Sequence, residues 1–222
     1  MRELILVPMI HSDPDLGAAA EKIRLMREEL YGPDRLARHE AVVTAFWGGV
    51  EQRLGAEDAH RLKIYQDGML EAGEIGDAVV RELAAKGSPN FLCISRLMAQ
   101  GAEIRKTEDL ALIRREYELT MNLVQARSLW QKLYRLALSR FQRRGLLKRR
   151  DRFMAHRINT TLEDGEVGVL FVGAAHQVQQ HIDADIGVEP FKTPGLVRAY
   201  MKAVKRRGGE EELLRLGEEL IG

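Results

Sequence analysis

The sequence predicts an α/β fold: a mixed, mostly parallel sheet with helices on both faces. Short apolar runs, such as Leu4–Ile10 and residues 166–173, have the length and β-branched content of buried strands. Between them lie longer segments in which apolar residues recur at helical spacing. Because strands that alternate with helices favour parallel pairing, we expect residues 1–222 to form a single α/β domain around one core.

The N-terminal half alternates between strand-like and helix-like patterns. After the first strand we predict, in order, helices at 17–31 and about 34–54, a strand at 62–65, helices at about 73–86 and 89–100, and a strand at 102–106. The clusters Gly32-Pro33-Asp34 and Gly87-Ser88-Pro89 separate neighbouring helices, since glycine and proline interrupt helical patterns.

The C-terminal half contains the strand with the clearest pattern, at 166–173. Around it we predict one or two long helices from Glu108 to about Gln142, a separate helix from Arg149 to Leu162, a last strand at 186–192, and helices at about 194–206 and 210–220. No linker or low-complexity segment divides the chain.

The composition argues against several classes of protein. A net charge of +1 indicates neither a nucleic-acid partner nor a membrane surface. The single cysteine, Cys93, excludes an internal disulfide, and its apolar neighbours favour an inert core thiol over a reactive one. No apolar run approaches the ~20 residues of a membrane span, and the acidic N-terminal Glu3 does not fit a signal peptide. We therefore expect a cytoplasmic protein.

Two histidines follow predicted strands in similar settings. Val7-Pro-Met-Ile-His11 ends the first strand, and Val172-Gly-Ala-Ala-His176 ends the fourth. Ligands bind at the carboxyl ends of parallel strands, and imidazole serves as a base or a metal ligand near neutral pH. We expect the two strands to be adjacent or nearly so in one sheet, with both histidines at the same edge; hydrogen-bonded structural histidines are the alternative. If Gly173 has positive φ or contacts backbone or ligand closely, Gly173→Val should cost about 2 kcal/mol or more.

The remaining histidines have no patterned context. We expect them to lie at the surface: His39, His60, His156 and His181.

Three carboxylates are candidates to work with these histidines. Asp13 comes two residues after His11, Asp67 follows a predicted strand, and Glu108 precedes a long helix. Each has a structural alternative: Asp13 could cap the next helix, Asp67 could be a turn residue, and Glu108 could favour the helix dipole beside a capping Thr107. The residue types leave both interpretations open.

A basic segment runs from Arg140 to Arg152. A phosphate-binding stripe would imply nucleic acid, but the chain has 33 acidic residues against 34 basic ones, and the segment lacks a series of interleaved aromatic side chains. We therefore expect no nucleic-acid partner, and interpret the segment as a solvated helix connection with one or two arginines turned toward the site.

The last third of the chain resembles a known signature. Arg150-Asp-Arg-Phe-Met-Ala155, followed by a helix and a strand ending in Gly173-Ala-Ala-His176, is similar to the C-terminal part of TraB and Tiki-like proteins. These belong with the erythromycin esterase and ChaN-like group. The family pairs an early Gly-x-x-His motif with a late one, and Pro8-Met-Ile-His11 takes the early place here. The resemblance covers most of the chain in outline and is specific only over 150–176.

The resemblance implies a set of site residues and two kinds of chemistry. The implied residues are His11, Glu108, Arg150, Asp151 and His176. Pro8 replaces the early glycine, and Arg105 stands where a glutamate is expected. Tiki-like members imply a metal-dependent protease and the esterases imply water attack on an ester, but a shared fold does not by itself transfer an activity.

We therefore expect a hydrolase, protease-like or esterase-like, that acts on a small-molecule or peptide substrate. If a divalent ion binds, His11, His176 and either Glu108 or Asp13 would hold it, a donor set that suits Zn²⁺, Mn²⁺ or Co²⁺ better than Ca²⁺. Without a metal, a histidine would act as general base, Arg150 would stabilise the oxyanion, and Asp151 would orient one of these groups. The alternative is a non-catalytic small-ligand-binding or regulatory domain on the same scaffold; a homo-oligomer is compatible with both.

Overall fold

The computed structural model describes residues 2–10, 25, 28–29, 32–124, 129–206 and 208–222, without the side chains at 120, 122–124 and 129–141. The helix predicted at 17–31 lies almost wholly outside these residues. His11 and Asp13 lie outside them as well.

The described strands form one five-stranded sheet in the order β3-β2-β4-β1-β5, and every pairing is parallel. The strands are β1 (Arg2–Met9), β2 (Leu62–Gln66), β3 (Glu103–Arg105), β4 (Val167–Gly173) and β5 (Ile186–Pro190). The α/β class with helices around a parallel sheet is thus confirmed, with no antiparallel strand among the described pairings. β1 and β4 are direct neighbours, with Met9 opposite Gly173, so the predicted adjacency of these two strands is also confirmed.

The helices of the described chain follow the predicted order. They are α1 (Pro33–Gly55), α2 (Gly73–Ala85), α3 (Pro89–Ala99), α4 (Leu110–Val124), α5 (Leu129–Thr161), α6 (Pro194–Lys205) and α7 (Glu210–Ile221). Proline stands in the first turn of α1, α3 and α6, where its missing N–H costs no helical hydrogen bond. None of these helices combines the length and apolar character needed to cross a membrane.

The helix α5 differs from the prediction. We expected a helix to end near Gln142 and another to begin at Arg149, whereas α5 continues through Gly145 as one helix of 33 residues. A single glycine in a helix costs only about 1 kcal/mol, and the flanking leucines, lysine and arginines are good helix formers. The segment is therefore part of a long helix and does not connect two shorter ones.

The sheet separates two hydrophobic layers. Alternate residues of β1 enter different layers: Ile5, Val7 and Met9 pack with α1, α2, α3, α6 and α7, while Leu4 and Leu6 pack with the C-terminal half of α5. Because both faces of the strands are covered, β1 and β4 are nearly continuous apolar runs.

Neighbouring strands β2 and β4 send the chain to opposite faces of the sheet. After β2 the chain enters α2 and α3, whose Val80 and Cys93 belong to the first layer. After β4 it reaches Val178, which packs in the second layer beside α5. Such a reversal opens a crevice at the carboxyl ends of the two strands, which is where open α/β sheets bind ligands.

Candidate functional site

The residues at this crevice come from four separate parts of the chain. Asp67 follows β2, Glu108 follows β3, Arg150 and Asp151 are on α5, and His176 follows β4. Four of these five side chains were predicted as site residues together with His11 and Asp13, which the described residues do not include. The structure therefore brings the predicted Glu108, Arg150, Asp151 and His176 together, and adds Asp67.

His176 is held between two carboxylates. Its Nδ1 donates to Asp151 Oδ1 at 2.6 Å, and its Nε2 lies 3.4 Å from Asp67 Oδ2. Burial alone would lower the pKa of His176, but the hydrogen bonds and negative charges of Asp151 and Asp67 outweigh burial and raise it to about 9. The imidazole is therefore protonated at neutral pH.

Asp151 has a second role in fixing this loop. Its Oδ2 accepts a hydrogen bond from the backbone N–H of Gln177 at 3.1 Å. The backbone N–H of His176 in turn donates to the carbonyl of Gly173 at 3.0 Å, which closes a tight turn directly after β4. One carboxylate on α5 thus positions both the ring and the backbone that carries it.

Arg150 is the centre of a group of carboxylates. Its Nε donates to Glu108 Oε1 at 2.9 Å, its Nη2 to Asp67 Oδ1 at 2.6 Å, and its Nη1 to Glu116 Oε2 at 2.6 Å. Glu108 Oε1 accepts a second bond from Nη2 at 2.5 Å. The guanidinium therefore ties the ends of β2 and β3 to helix α5.

The buried carboxyl of Glu108 and the largely buried carboxyl of Asp67 have opposite pKa shifts. Burial would raise the pKa of Asp67, but the His176 hydrogen bond and the charges of His176 and Arg150 lower it to about 2. For Glu108 burial dominates and, with the nearby Asp67 charge, raises the pKa to about 7 despite the bond from Arg150. Glu108 Oε2 is buried without a hydrogen-bond partner in the described structure. Asp67 is thus ionised, while Glu108 can hold a proton near neutral pH.

The segment before α4 explains why Glu108 points inward. Both Thr107 and Glu108 donate their backbone N–H to the carbonyl of Met69, at 2.9 and 3.1 Å, and the Thr107 hydroxyl donates to the carbonyl of Gln66. The cap of α4 is Asp109, whose Oδ1 accepts from the first free N–H groups of the helix. The capping role considered for Thr107 is therefore wrong, and Glu108 is left for the site.

Two further residues at the site had weak signals or none in the sequence. Asp67 could be noticed only because it follows a strand, a position equally compatible with a turn residue. Glu116 carries no motif and lies within α4, so its contact with Arg150 required the helix packing to be known.

Gly173 has neither positive φ nor a close backbone contact, the two protein features that would make its substitution costly. It is not among the glycines with positive φ, and an added Cβ would find His176 Cδ2 at 3.6 Å and Asp67 Oδ2 at 3.7 Å, which are ordinary contacts. Among the described residues, no backbone atom comes close enough to exclude a side chain. Gly173 therefore contributes a small residue beside the site but no special backbone conformation.

One of the other histidines departs from the expected surface position. His39 is buried, and its Nδ1 lies 3.0 Å from the hydroxyl of Tyr200. This pair lies between α1 and α6, in the layer on the first face of the sheet.

A cleft adjoins the histidine. It has a volume of about 480 Å³, and its described lining includes Ala175 and Gln177 after β4, together with Arg144, Lys148 and Asp151 of α5. A smaller cleft of about 200 Å³ borders Arg150, and Arg144 lines both clefts. The larger volume is in the range of small-molecule binding sites.

The described residues supply part of a metal-binding set. No group of three His, Cys, Asp or Glu side chains among them is arranged to hold a metal ion. His176 Nε2 and Asp67 Oδ2 are two potential metal ligands that lie side by side, whereas the Glu108 carboxyl is directed to Arg150. The predicted metal site therefore depends on His11 and Asp13, and it stays a prediction.

Comparison with protein-family models, with curated proteins and with solved structures gives no match. The site itself is therefore the basis for any assignment of function.

Proposed function

We propose that the protein is a hydrolase in which His176 transfers a proton during the attack of water on a small ester or peptide-type substrate. The observation that carries this proposal is the His176 ring, held between Asp151 and Asp67 beside a cleft between α5 and the turn that follows β4. Membership of the TraB and Tiki-like family and a place in the cytoplasm are parts of the same proposal. The former is supported by Asp151, which binds His176 directly, and by Arg150, which is linked to His176 through Asp67.

The protonation states of His176 and Asp67 indicate which of them gives a proton and which accepts one. Hydrolysis needs one group that gives a proton to the leaving atom and one that takes a proton from water. His176, with its pKa raised to about 9, is an imidazolium at neutral pH and can supply the first proton. Asp67, with its pKa lowered to about 2, is a carboxylate 3.4 Å from the same nitrogen. Pairs of groups whose pKa values are pushed apart are typical of acid–base sites.

Transfer of the proton changes the basicity of Asp67. Once His176 has protonated the leaving oxygen or nitrogen, its hydrogen bond and positive charge no longer lower the pKa of Asp67, so that this pKa rises, although the Arg150 charge remains. Asp67 then accepts a proton from the attacking water, whose hydroxyl joins the carbonyl carbon as the bond to the leaving atom breaks. Return of the proton from Asp67 to His176 restores the starting state.

Arg150 and Asp151 serve as positioning residues in this scheme. Arg150 binds Asp67 Oδ1, and this bond keeps Asp67 Oδ2 directed to His176. Its nitrogens already bind three carboxylates, so the geometry favours this role over direct stabilisation of an oxyanion. Asp151 fixes the ring orientation through Nδ1, as the carboxylate does in acid–base triads.

A metal-dependent form of the reaction uses the same histidine. Histidines that bind metals usually donate their second ring N–H to a carboxylate, which is the arrangement of His176 and Asp151. His176 Nε2 and Asp67 would then be ligands, with His11 or Asp13 completing the set. A bound Zn²⁺, Mn²⁺ or Co²⁺ would lower the pKa of a water ligand.

Hydrolysis of a substrate panel tests the proposal. The panel contains p-nitrophenyl acetate and butyrate, p-nitrophenyl phosphate and a fluorogenic peptide. We expect His176→Gln to lower kcat for an accepted substrate by about 10²–10⁴-fold, since a general acid contributes about that much. The matched control is His156→Gln, an exposed histidine of the same helix that carries Asp151, and it should retain full activity.

Two measurements separate the outcomes. Undiminished turnover by folded His176→Gln protein would reject the role of His176. Calorimetric titration of chelator-treated protein with Zn²⁺, Mn²⁺ and Co²⁺ tests the metal-dependent form, and no heat with any of the three ions would end it.

A non-catalytic ligand-binding or regulatory domain is the second candidate. One observation favours it: Arg150 and His176 are each already paired with carboxylates, and closed ion-pair networks also occur as structural elements. A folded protein that turns over no member of the panel and yet binds a ligand in the cleft would support this candidate.

A further inference from the structure

One face of helix α5 changes character as it leaves the sheet. Where α5 covers the sheet, this face carries the buried Met154, Ala155 and Ile158. At 3.6 residues per turn, Lys148 and Arg144 lie on the same face, one and two turns before Asp151. The helix face that is apolar over the sheet therefore carries two cations, Arg144 and Lys148, beside Leu147 where it borders the cleft.

Both cations line the cleft of about 480 Å³ beside His176. Arg144 and Lys148 are exposed to solvent. In the part of the chain that the structure describes, neither side chain has an ion pair or hydrogen bond. Many exposed arginines of the chain are paired with glutamates, for example Arg96 with Glu51. Two unpaired cations on the wall of a concave site have their donors available for a ligand.

We infer that the cleft binds a small molecule with an anionic group, a carboxylate or a phosphate, which Arg144 and Lys148 hold beside His176. Along the helix axis the two cations lie about 5 and 10 Å from the level of Asp151, at a rise of 1.5 Å per residue. The anionic group of the ligand would then be about one to two helical turns away from the group that reacts. Arginine binds both kinds of anion through paired hydrogen bonds, so the chemistry common to them is what the site recognises.

A polyanion fits the observations less well than a small anion. The chain carries a net charge of +1, and the cleft has the volume of a small-molecule site. The described lining of the cleft contains no aromatic side chain on which a base could stack.

This inference rests on the proposed function for the position of the reacting group, but anion binding can be measured without turnover. We would titrate the protein by calorimetry at low ionic strength, where screening is weak, with inorganic phosphate, succinate, uncharged succinamide and a single-stranded oligonucleotide. The test variant is R144A/K148A. The matched control is R149A/R152A, which removes two exposed positive charges from the same helix outside the described lining.

We expect saturable binding of phosphate or succinate, and none of succinamide; the anion that binds more tightly identifies the group. R144A/K148A should weaken this binding by about tenfold or more, the loss expected for a charge-assisted hydrogen bond. R149A/R152A should change it less than about twofold, since exposed charges at a distance are largely screened.

The other results overturn the inference. They are the binding of neither anion, equal losses in the two double variants, or the tightest binding to the oligonucleotide. His176→Gln should still bind the anion: if it does while the wild-type protein hydrolyses nothing, the proposed function fails and the anion site stands.

Discussion

Two buried arginines organise two different parts of this molecule. Arg35 on α1 donates to backbone carbonyls at the end of α6, for example to Ala203 at 2.6 Å, and pairs with the half-exposed Glu210 at the start of α7. Arg150 on α5 gives its donors to three carboxylates, two of which are buried or nearly so. The first arginine closes a helix end, whereas the second holds negative charge inside the protein.

A buried histidine lies in the region of each arginine, and the two histidines also differ in the charge of the partners that the structure gives them. His39 lies 3.0 Å from the neutral hydroxyl of Tyr200. His176 lies between the carboxylates of Asp151 and Asp67, which raise its pKa to about 9 although burial would lower it. Burial alone therefore does not distinguish the candidate site; what distinguishes it is that carboxylates surround its arginine and its histidine.

The largest difference should appear when each arginine is replaced by methionine. Arg150→Met leaves Asp67 and Glu108 as buried carboxyls without their cation, which should cost about 3–5 kcal/mol of the free energy of unfolding. Arg35→Met removes hydrogen bonds to carbonyls and leaves only an exposed glutamate, so that we expect about 1–2 kcal/mol. Urea denaturation at neutral pH measures both.

A second substitution tests whether the unpaired carboxyls cause the loss of stability in Arg150→Met. In Arg150→Met, adding Glu108→Gln removes one of the unpaired carboxyls and should restore part of the lost stability. Equal costs for the two arginines, or no recovery in the double variant, would contradict the comparison.

A smaller effect should appear in the pH dependence of stability. The folded pKa of His176 is raised from 6.5 to about 9, so its contribution is fully present below pH 6.5 and is lost as pH rises to about 9. By linkage the loss is up to about 3 kcal/mol. Glu108, with its pKa raised from 4.5 to about 7, acts in the same direction at lower pH.

Urea melts from pH 5 to pH 10 should therefore show declining stability above neutral pH. The decline between pH 6.5 and 9 should be smaller in His176→Gln and unchanged in His39→Gln. A stability that is flat over this range in the wild-type protein would show that the two carboxylates do not hold the proton on His176.

Most of the fold could be predicted because its signals are local. β1 and β4 are buried on both faces and therefore appear as continuous apolar runs, and prolines mark the starts of α1, α3 and α6. The continuity of α5 was missed because the basic segment from Arg140 to Arg152 was interpreted as a connection between two helices, whereas its residues continue one helix.

The site could be predicted only in part, for a different reason. His176, Asp151 and Arg150 belong to one stretch of sequence whose spacing is recognisable. The importance of Asp67 arises from the pairing of β2 with β4, which aligns two strands more than 100 residues apart in the chain. Glu116 reaches Arg150 through the packing of two helices, and no pattern in the sequence encodes that contact.

The smallest effects should come from the exposed members of the two networks. Glu116, bonded to Arg150, and Glu210, bonded to Arg35, have side chains that are 43% and 50% exposed. Exposed ion pairs contribute at most about 1 kcal/mol, because water solvates the free carboxylate almost as well. Replacing either glutamate by glutamine should thus lower the free energy of unfolding by less than about 1 kcal/mol in urea melts. If Glu116→Gln cost as much as Arg150→Met, the stability of the site would depend on its exposed rim, and the contrast between buried carboxylate partners and other partners would fail.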